Sequence, residues 1–313
     1  MFQIQDRGFF LKTNGIIAVV NKTLLVIHGP TAIGKTALAI HLAQMLQTEV
    51  LSTDARQFYR EMSIGTAKPT QQELAVVKHH FIDNKSIHDL YSAGDFEKDA
   101  LACLDALFEK VEIAIAIGGS GLYIKALCEG LHEMPDADLN LRNNLIQLFE
   151  IEGIVALQNQ LKQLNPERWE SIDQNNPQRL MRAIELANQN GFLSIQKRTR
   201  DFRIVKIGLD MNREDLYKRI NLRVDQMLEQ GLLEEAKSVF PYKHLNALQT
   251  VGYNELFDYF DGKISLDRAI ELIKQHTRNF AKRQMTWFRK DPEINWFNPE
   301  NIGVVEDWVQ ANV

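Results

Sequence analysis

The feature that most restricts the fold is the stretch VIHGPTAIGKT, which joins an apolar run to the start of a helix. Residues 23–28 are apolar enough for a buried strand, and helical spacing runs from Lys35 to Leu46. Between them Gly29, Pro30, Thr31, Ala32, Ile33, Gly34, Lys35 and Thr36 fit the pattern GxxxxGK[ST] without a gap. Glycines in such a loop let backbone N–H groups curl around phosphate oxygens, and the helix that follows turns its positive end towards them. Lys35 adds a charge, and the Thr36 hydroxyl is the expected protein ligand of a Mg2+ ion.

Further strand ends fall into the same frame. Residues 50–53 read as a buried strand with Asp54 just beyond it, and 113–117 as another that runs into Gly118, Gly119, Ser120 and Gly121. Ser92 and Asp95 mark a helix entry, after which Phe96, Ala100, Leu104 and Leu107 share one face. A strand is also expected over 203–209, and helices over 213–230 and 266–288. Strands alternating with helices predict an α/β fold, a P-loop-type parallel sheet flanked by helices, with ligands at the carboxyl ends of the strands. Asp54 is the candidate base there; read differently, it is a helix cap or a metal ligand. Ser120 offers a hydroxyl to a phosphate or a nucleophile, or merely a tight turn. Arg219 and Arg223 lie one helical turn apart and suit a diphosphate or, equally, surface ion pairs. No Asp ends the strand at 113–117, and no Asn-Lys-x-Asp occurs, which argues against a GTPase or motor ATPase. A diphosphate held in this loop is then a leaving group.

The chain of 313 residues has room for one sizeable domain and a smaller one. After residue 135 the texture changes to helices and loops rich in Asn and Gln. The expected organisation is an N-terminal extension over 1–22, a core over 23–135 and 196–313, and a mostly helical insertion domain over 136–195. Within 16–20 lies either an extra edge strand or a loose tail. In the insertion, Asn176 caps a helix that starts at Pro177 and stops by Gly191. Leu180, Ala183, Ile184 and Ala187 share its apolar face, opposite Gln178, Arg179 and Arg182, while Arg142 reads as solvent-exposed. The helix over 266–288 places Ile270, Ile273, Phe280 and Trp287 on an apolar stripe beside Lys274, Arg278 and Lys282. Net charge is −5, yet residues 268–290 carry seven Lys/Arg against the single acid Glu271, and 197–206 carry five against Asp201. Such clusters are solvated helix faces or patches for a polyanion. Cys103 and Cys128 lack metal-ligand spacing and fit packing in a reducing, cytoplasmic setting. No apolar run reaches membrane-spanning length, and the first residues do not read as a signal peptide.

The segments GPTAIGKTALA, STDARQFY, IGTAKP, HHFID, YSAGDF, GGSGLY, NPQRLMRAIE, VGY and KRQMTWFR occur in the order found in tRNA dimethylallyltransferases. The chain resembles that family from about residue 24 to about residue 298. The resemblance implies transfer of a prenyl group from dimethylallyl diphosphate to N6 of the adenosine 3′ to the anticodon. It implies that Thr31 to Thr36 hold the diphosphate with Mg2+, that Asp54 takes the amine proton, and that Ser120 helps place the reacting groups. Of the two arginines, Arg223 is favoured for the diphosphate. Contacts to the tRNA anticodon stem-loop are implied for Asp54, Ala55, Arg56, Gln57, Ser120, Arg142, Gln178, Arg179, Leu180, Met181 and Arg182. They are also implied for Gln249, Thr250, Val251, Gly252, Tyr253, Asn254, Lys282, Arg283, Gln284, Met285, Thr286, Trp287, Phe288 and Arg289. A base stacked in an anticodon loop has to swing out to be reached. A monomer outside the membrane is expected. Ala55 stands where the family commonly has Ser and Ser120 where it usually has Thr, and the first ~20 residues have no counterpart in the family core. Rival functions are prenylation of free AMP, small-molecule phosphorylation with ATP, and phosphate binding without chemistry.

Overall fold

Eight strands are present among the described residues: β1 (Phe10–Thr13), β2 (Ile16–Val19), β3 (Thr23–His28), β4 (Val50–Ser52), β5 (His79–His80), β6 (Ile113–Gly118), β7 (Arg203–Leu209) and β8 (Asn295–Phe297). The computed structural model describes residues 10–13, 16–19, 22–131, 135, 138–189 and 199–313. Six of the strands form one sheet in the order β5-β4-β6-β3-β7-β8, and every neighbouring pair is parallel. β1 and β2 pair antiparallel in a separate two-stranded sheet, so 16–19 is a strand but not an edge of the main sheet. Residue 20 lies outside the described residues.

All six residues of β3 are buried. A strand covered on both faces has no polar side to show, which is why 23–28 reads as an apolar run and not as an alternation. Ile117 of β6 is level with Ile27 on one side and with Ser52 on the other. The carboxyl ends of β4, β6 and β3 therefore stop side by side. Parallel strands need long crossovers, and helices supply them. Lys35–Leu46 buries Leu38, Ala39, Leu42 and Ala43 against the sheet. Ala93–Leu107 starts with reciprocal hydrogen bonds: the Asp95 N–H donates to Ser92 Oγ (3.2 Å) and the Ser92 N–H to Asp95 Oδ2 (2.9 Å). The expected face of Phe96, Ala100, Leu104 and Leu107 is buried.

The long helix Leu266–Phe288 departs from the expected stripe. Ala269, Ile273, Ala281, Gln284, Met285 and Phe288 are buried, whereas Phe280 and Trp287 are 38% and 45% exposed. Aligned periodicity cannot tell a core face from the wall of a cleft. The chain also continues past this helix, through β8 and a helix Ile302–Asn312 whose Val305 and Val309 join the core, neither of which periodicity brought out.

The chain divides into two compact units, 1–130 with 199–313, and 131–198. Among its described residues the second has only helices as regular elements: Leu139–Glu152, Ile154–Leu164, Pro166–Ser171 and Pro177–Asn188. Asn176 caps the last of these, its Oδ1 accepting from the Arg179 N–H (3.1 Å). Gly191, Lys197 and Arg198 lie outside the described residues. Leu180 and Met181, expected among the RNA contacts, are instead buried with Leu145, Leu157, Leu161, Ala183 and Ile184 in the core of this unit. Arg142 is likewise not a lone exposed cation. It pairs with the fully buried Glu185, which also takes Arg182 Nη1 at 3.0 Å. Burial opposes ionisation of Glu185, but hydrogen bonds from Arg142 and then Arg182 outweigh it and hold the carboxyl below its usual range. Gln178 and Arg179 remain exposed.

Ile115 is fully buried at the centre of the sheet. Ile115→Ala is expected to lower unfolding stability by about 2–5 kcal/mol, read from the urea midpoint of the transition. A shift of a few tenths of a kcal/mol would contradict the close packing described here.

Candidate active site

Three loops meet where β3, β4 and β6 end. They line a cleft of about 680 Å3 together with the helices Arg213–Glu229 and Leu266–Phe288 and the segment 249–254. From the glycine loop come Thr31, Lys35 and Thr36; from the end of β4, Asp54, Ala55, Arg56 and Gln57; from the end of β6, residues 117–123 including Ser120. The glycine loop turns through left-handed backbone at Ala32 (φ 65°) and Gly34 (φ 106°). Its Pro30 and Ile33 are buried, and the helix Lys35–Leu46 begins at its end. Lys35 Nζ donates to the Pro30 carbonyl at 2.8 Å. Desolvation first, and the positive charge of Arg223 second, push the Lys35 ammonium down to about 7, with Asp54 opposing. Lys35 and Arg223 thus line the same cleft as Asp54.

The two arginines one helical turn apart, both expected at the diphosphate with Arg223 favoured, separate. Arg223 lines the cleft, and desolvation lowers its guanidinium from the usual arginine value. Arg219 does not line it: its Nη1 donates to the Ile33 carbonyl (3.3 Å) and its Nη2 lies 3.7 Å from Glu300. It braces the glycine loop from outside.

Asp54 faces the cleft with one oxygen engaged, Oδ1 accepting the Arg56 N–H at 2.9 Å. Ser120 Oγ accepts the Ala55 N–H at 2.9 Å, which ties the end of β6 to the end of β4. A side-chain hydroxyl at position 55 is not needed for that link, since the backbone makes it. Gln57 Oε1 takes the Ser52 hydroxyl (2.9 Å) while its amide donates to the carbonyls of Thr66 and Ala67 (both 3.2 Å). Among the described residues no three His, Cys, Asp or Glu side chains converge on a metal position. A divalent ion here would have Thr36 and Asp54 within the same cleft and would draw its other ligands from a bound anion and water.

The helix Leu266–Phe288 reaches this site through Gln284. Its Oε1 accepts the Thr31 N–H and its Nε2 donates to the Gly119 carbonyl, each at 2.9 Å. One buried amide therefore joins the helix to both glycine loops, and the Thr31 N–H assigned to phosphate is already engaged. A Cβ on Gly119 would stand 2.2 Å from Gln284 Nε2, and one on Gly121 2.3 Å from Trp287 Nε1. Both glycines serve close approach.

Of the other expected RNA contacts, Gln249, Thr250, Val251, Gly252, Asn254, Arg283 and Trp287 line the cleft. Tyr253, Met285 and Phe288 are buried and serve packing. Arg289 pairs with Asp210 at 2.7 Å, whereas Lys282 and Thr286 are exposed beyond the cleft. Lys274 pairs with Asp225 and Arg278 bonds Asn221, so part of the basic cluster is neutralised within the fold. An apolar arm of the cleft, formed by Val224, Met227, Leu232 and Phe280, went unnoticed in the sequence. Its residues come from three helices, and no local spacing connects them.

The depressed Lys35 can be tested directly. Amine labelling of Lys35 should rise with a midpoint near pH 7, and inorganic diphosphate should move that midpoint upwards by stabilising the ammonium. A midpoint at the ordinary lysine value of about 10.4 would refute the desolvation described.

The family model for IPP transferase matches residues 57–291. A tRNA dimethylallyltransferase of Christiangramia forsetii is 52% identical over 296 residues, covering 93% of this chain and 98% of that protein. One from Flavobacterium johnsoniae is 51% identical, covering 88% and 93%. The crystal structure of the full-length tRNA isopentenylpyrophosphate transferase of Bacillus halodurans superposes with a TM-score of 0.69 at 35% identity, covering 93% of this chain and 96% of that one. With the family model over residues 57–291 and relatives about half identical over nearly the whole chain, the chain belongs to the IPP transferase family, the tRNA dimethylallyltransferases.

Proposed function

We propose that this chain transfers the dimethylallyl group of dimethylallyl diphosphate to N6 of the adenosine 3′ to the anticodon of tRNA, releasing diphosphate. The observation that carries the proposal is that a single cleft is lined both by Lys35, Thr36 and Arg223 and by Asp54 and Ser120. Anion-binding groups and a carboxylate in one cavity suit a reaction in which an anion departs as a proton is lost.

The N6 lone pair attacks the first carbon of the prenyl chain. The carbon–oxygen bond breaks, and its electron pair leaves on the diphosphate. The N6 proton passes to Asp54 Oδ2, which no donor among the described residues occupies. An exocyclic amine is a weak nucleophile, so most of the acceleration falls to positioning and to stabilisation of the departing charge. Lys35 and Arg223 supply that stabilisation, and the apolar arm suits the five-carbon chain. Mg2+, when bound through Thr36, adds positive charge beside the diphosphate. Arg56, Gln57 and residues 249–252 with Asn254 hold the extruded base, while Gln178, Arg179, Lys282 and Arg283 meet RNA phosphates. Among the described residues no helix is long and apolar enough to cross a membrane, and the cytoplasm is where such an RNA substrate resides.

Unmodified tRNA incubated with dimethylallyl diphosphate, Mg2+ and the protein should yield, on digestion, an adenosine heavier by one prenyl group. Prenylated AMP without prenylated tRNA, or transfer of a phosphoryl group from ATP, would point to a rival reaction. Asp54→Asn should leave diphosphate affinity within about twofold and lower kcat by about 10²–10⁴-fold, the usual weight of a general base. An equal loss of both would make Asp54 structural. Binding of tRNA should weaken steeply between low and moderate salt because several phosphates are neutralised together. A flat response would exclude the exposed arginines and lysines as the RNA surface.

A further inference from the structure

Glu235 lies outside every motif discussed so far, yet its carboxylate receives four hydrogen bonds. Oε2 accepts the N–H groups of Ser63 (2.9 Å) and Ile64 (2.8 Å). Oε1 accepts the Gly65 N–H (2.9 Å) and the Tyr253 hydroxyl (2.6 Å). Three successive backbone donors around one anion form a nest, and here the chain supplies its own anion. Charge-assisted bonds of this kind are about twice as strong as neutral ones.

The two segments joined in this way are both walls of the cleft. Gly65, Thr66 and Ala67 line one side, and residues 249–252 with Asn254 line another. Tyr253, fully buried, lays its ring against Gly65 so closely that a Cβ there would stand 2.6 Å from it. Desolvation and the neighbouring Glu235 push the Tyr253 phenol above its usual range, so it stays a donor. From the first wall the bonding continues: Thr66 and Ala67 hold the Gln57 amide, Gln57 holds Ser52, and Ser52 Oγ accepts the Asp54 N–H at 3.4 Å. A path of hydrogen bonds, joined by the peptide backbone from Gly65 to Ala67, thus runs from Glu235 to the backbone of the proposed base.

We infer that Glu235 is a positioning residue for the transfer reaction: by clamping Ser63–Ile64–Gly65 to Tyr253 it sets the spacing of the two cleft walls that receive the adenosine and the alignment of Asp54. The inference rests on the reaction proposed above. Glu235 touches neither substrate; it acts through the segments it holds. The diphosphate end of the cleft, built on Thr31, Lys35, Thr36 and Arg223, lies outside this path.

Glu235→Gln keeps the shape and replaces one acceptor by a donor, leaving at least one of the four donors unmatched. Its expected effects are about tenfold or greater loss of hydrogen-exchange protection at residues 63–65 and about 10–100-fold loss of kcat/KM for tRNA, the range a displacement near 1 Å produces. The dissociation constant for dimethylallyl diphosphate should stay within twofold. Tyr253→Phe keeps the ring on Gly65 and removes one donor, so it should fall between wild type and Glu235→Gln, and it serves if the first variant folds poorly. Unchanged kcat/KM despite lost protection would overturn the inference, as would equal loss of tRNA turnover and diphosphate affinity, which marks a general loss of folded protein. Wild-type protein that prenylates no tRNA defeats the proposed reaction instead; unchanged protection in Glu235→Gln would then still refute the clamp.

Discussion

Parallel pairing in register between β4, β6 and β3 is the constraint on which the rest of the molecule depends. Because Ser52, Ile117 and Ile27 lie level across three strands, the loops that follow them leave the sheet at one point. Each loop would be unremarkable alone. Together they set an anion cradle, a carboxylate and a hydroxyl around a shared space, and a slip of one strand would break that grouping while leaving every local motif intact. The fully buried residues of β3 enforce the register, since a shift would carry polar loop residues into the core.

Desolvation and then the charge of Arg223 drive Lys35 towards neutrality, and a bound anion would favour its ammonium form. A site arranged in this way favours the state in which negative charge is greatest, which in the proposed reaction is the departing diphosphate. Arg219 contributes from outside by bracing the Ile33 carbonyl, so two arginines one turn apart on a helix do different work.

The helix Leu266–Phe288 joins these features. Its buried face carries Gln284 into contact with both glycine loops, its half-exposed face gives Phe280 and Trp287 to the cleft, and its outer face keeps Lys282 and Thr286 in solvent. Where the periodic pattern suggested one apolar stripe, three separate duties are found. Amphipathicity reports hydrophobicity, and the wall of a cleft that takes an apolar group is hydrophobic too.

What the sequence by itself determined was local. The glycine loop, Asp54 beyond its strand, the cap at Ser92 and the helical character of the segment after residue 135 all follow from residues within a few positions of one another. The glycine-rich end of β6 was legible for the same reason. Tertiary structure alone decided which of Arg219 and Arg223 faces the cleft, that Arg142 answers a buried Glu185, and that Leu180 and Met181 belong to a core. It also decided the roles of Gln284 and Glu235. Gln284 meets Thr31 across 253 residues of chain, and Glu235 meets Gly65 across 170. Contacts over such separations arise from how the strands order themselves and where the helices dock, and no spacing within a window of sequence encodes them.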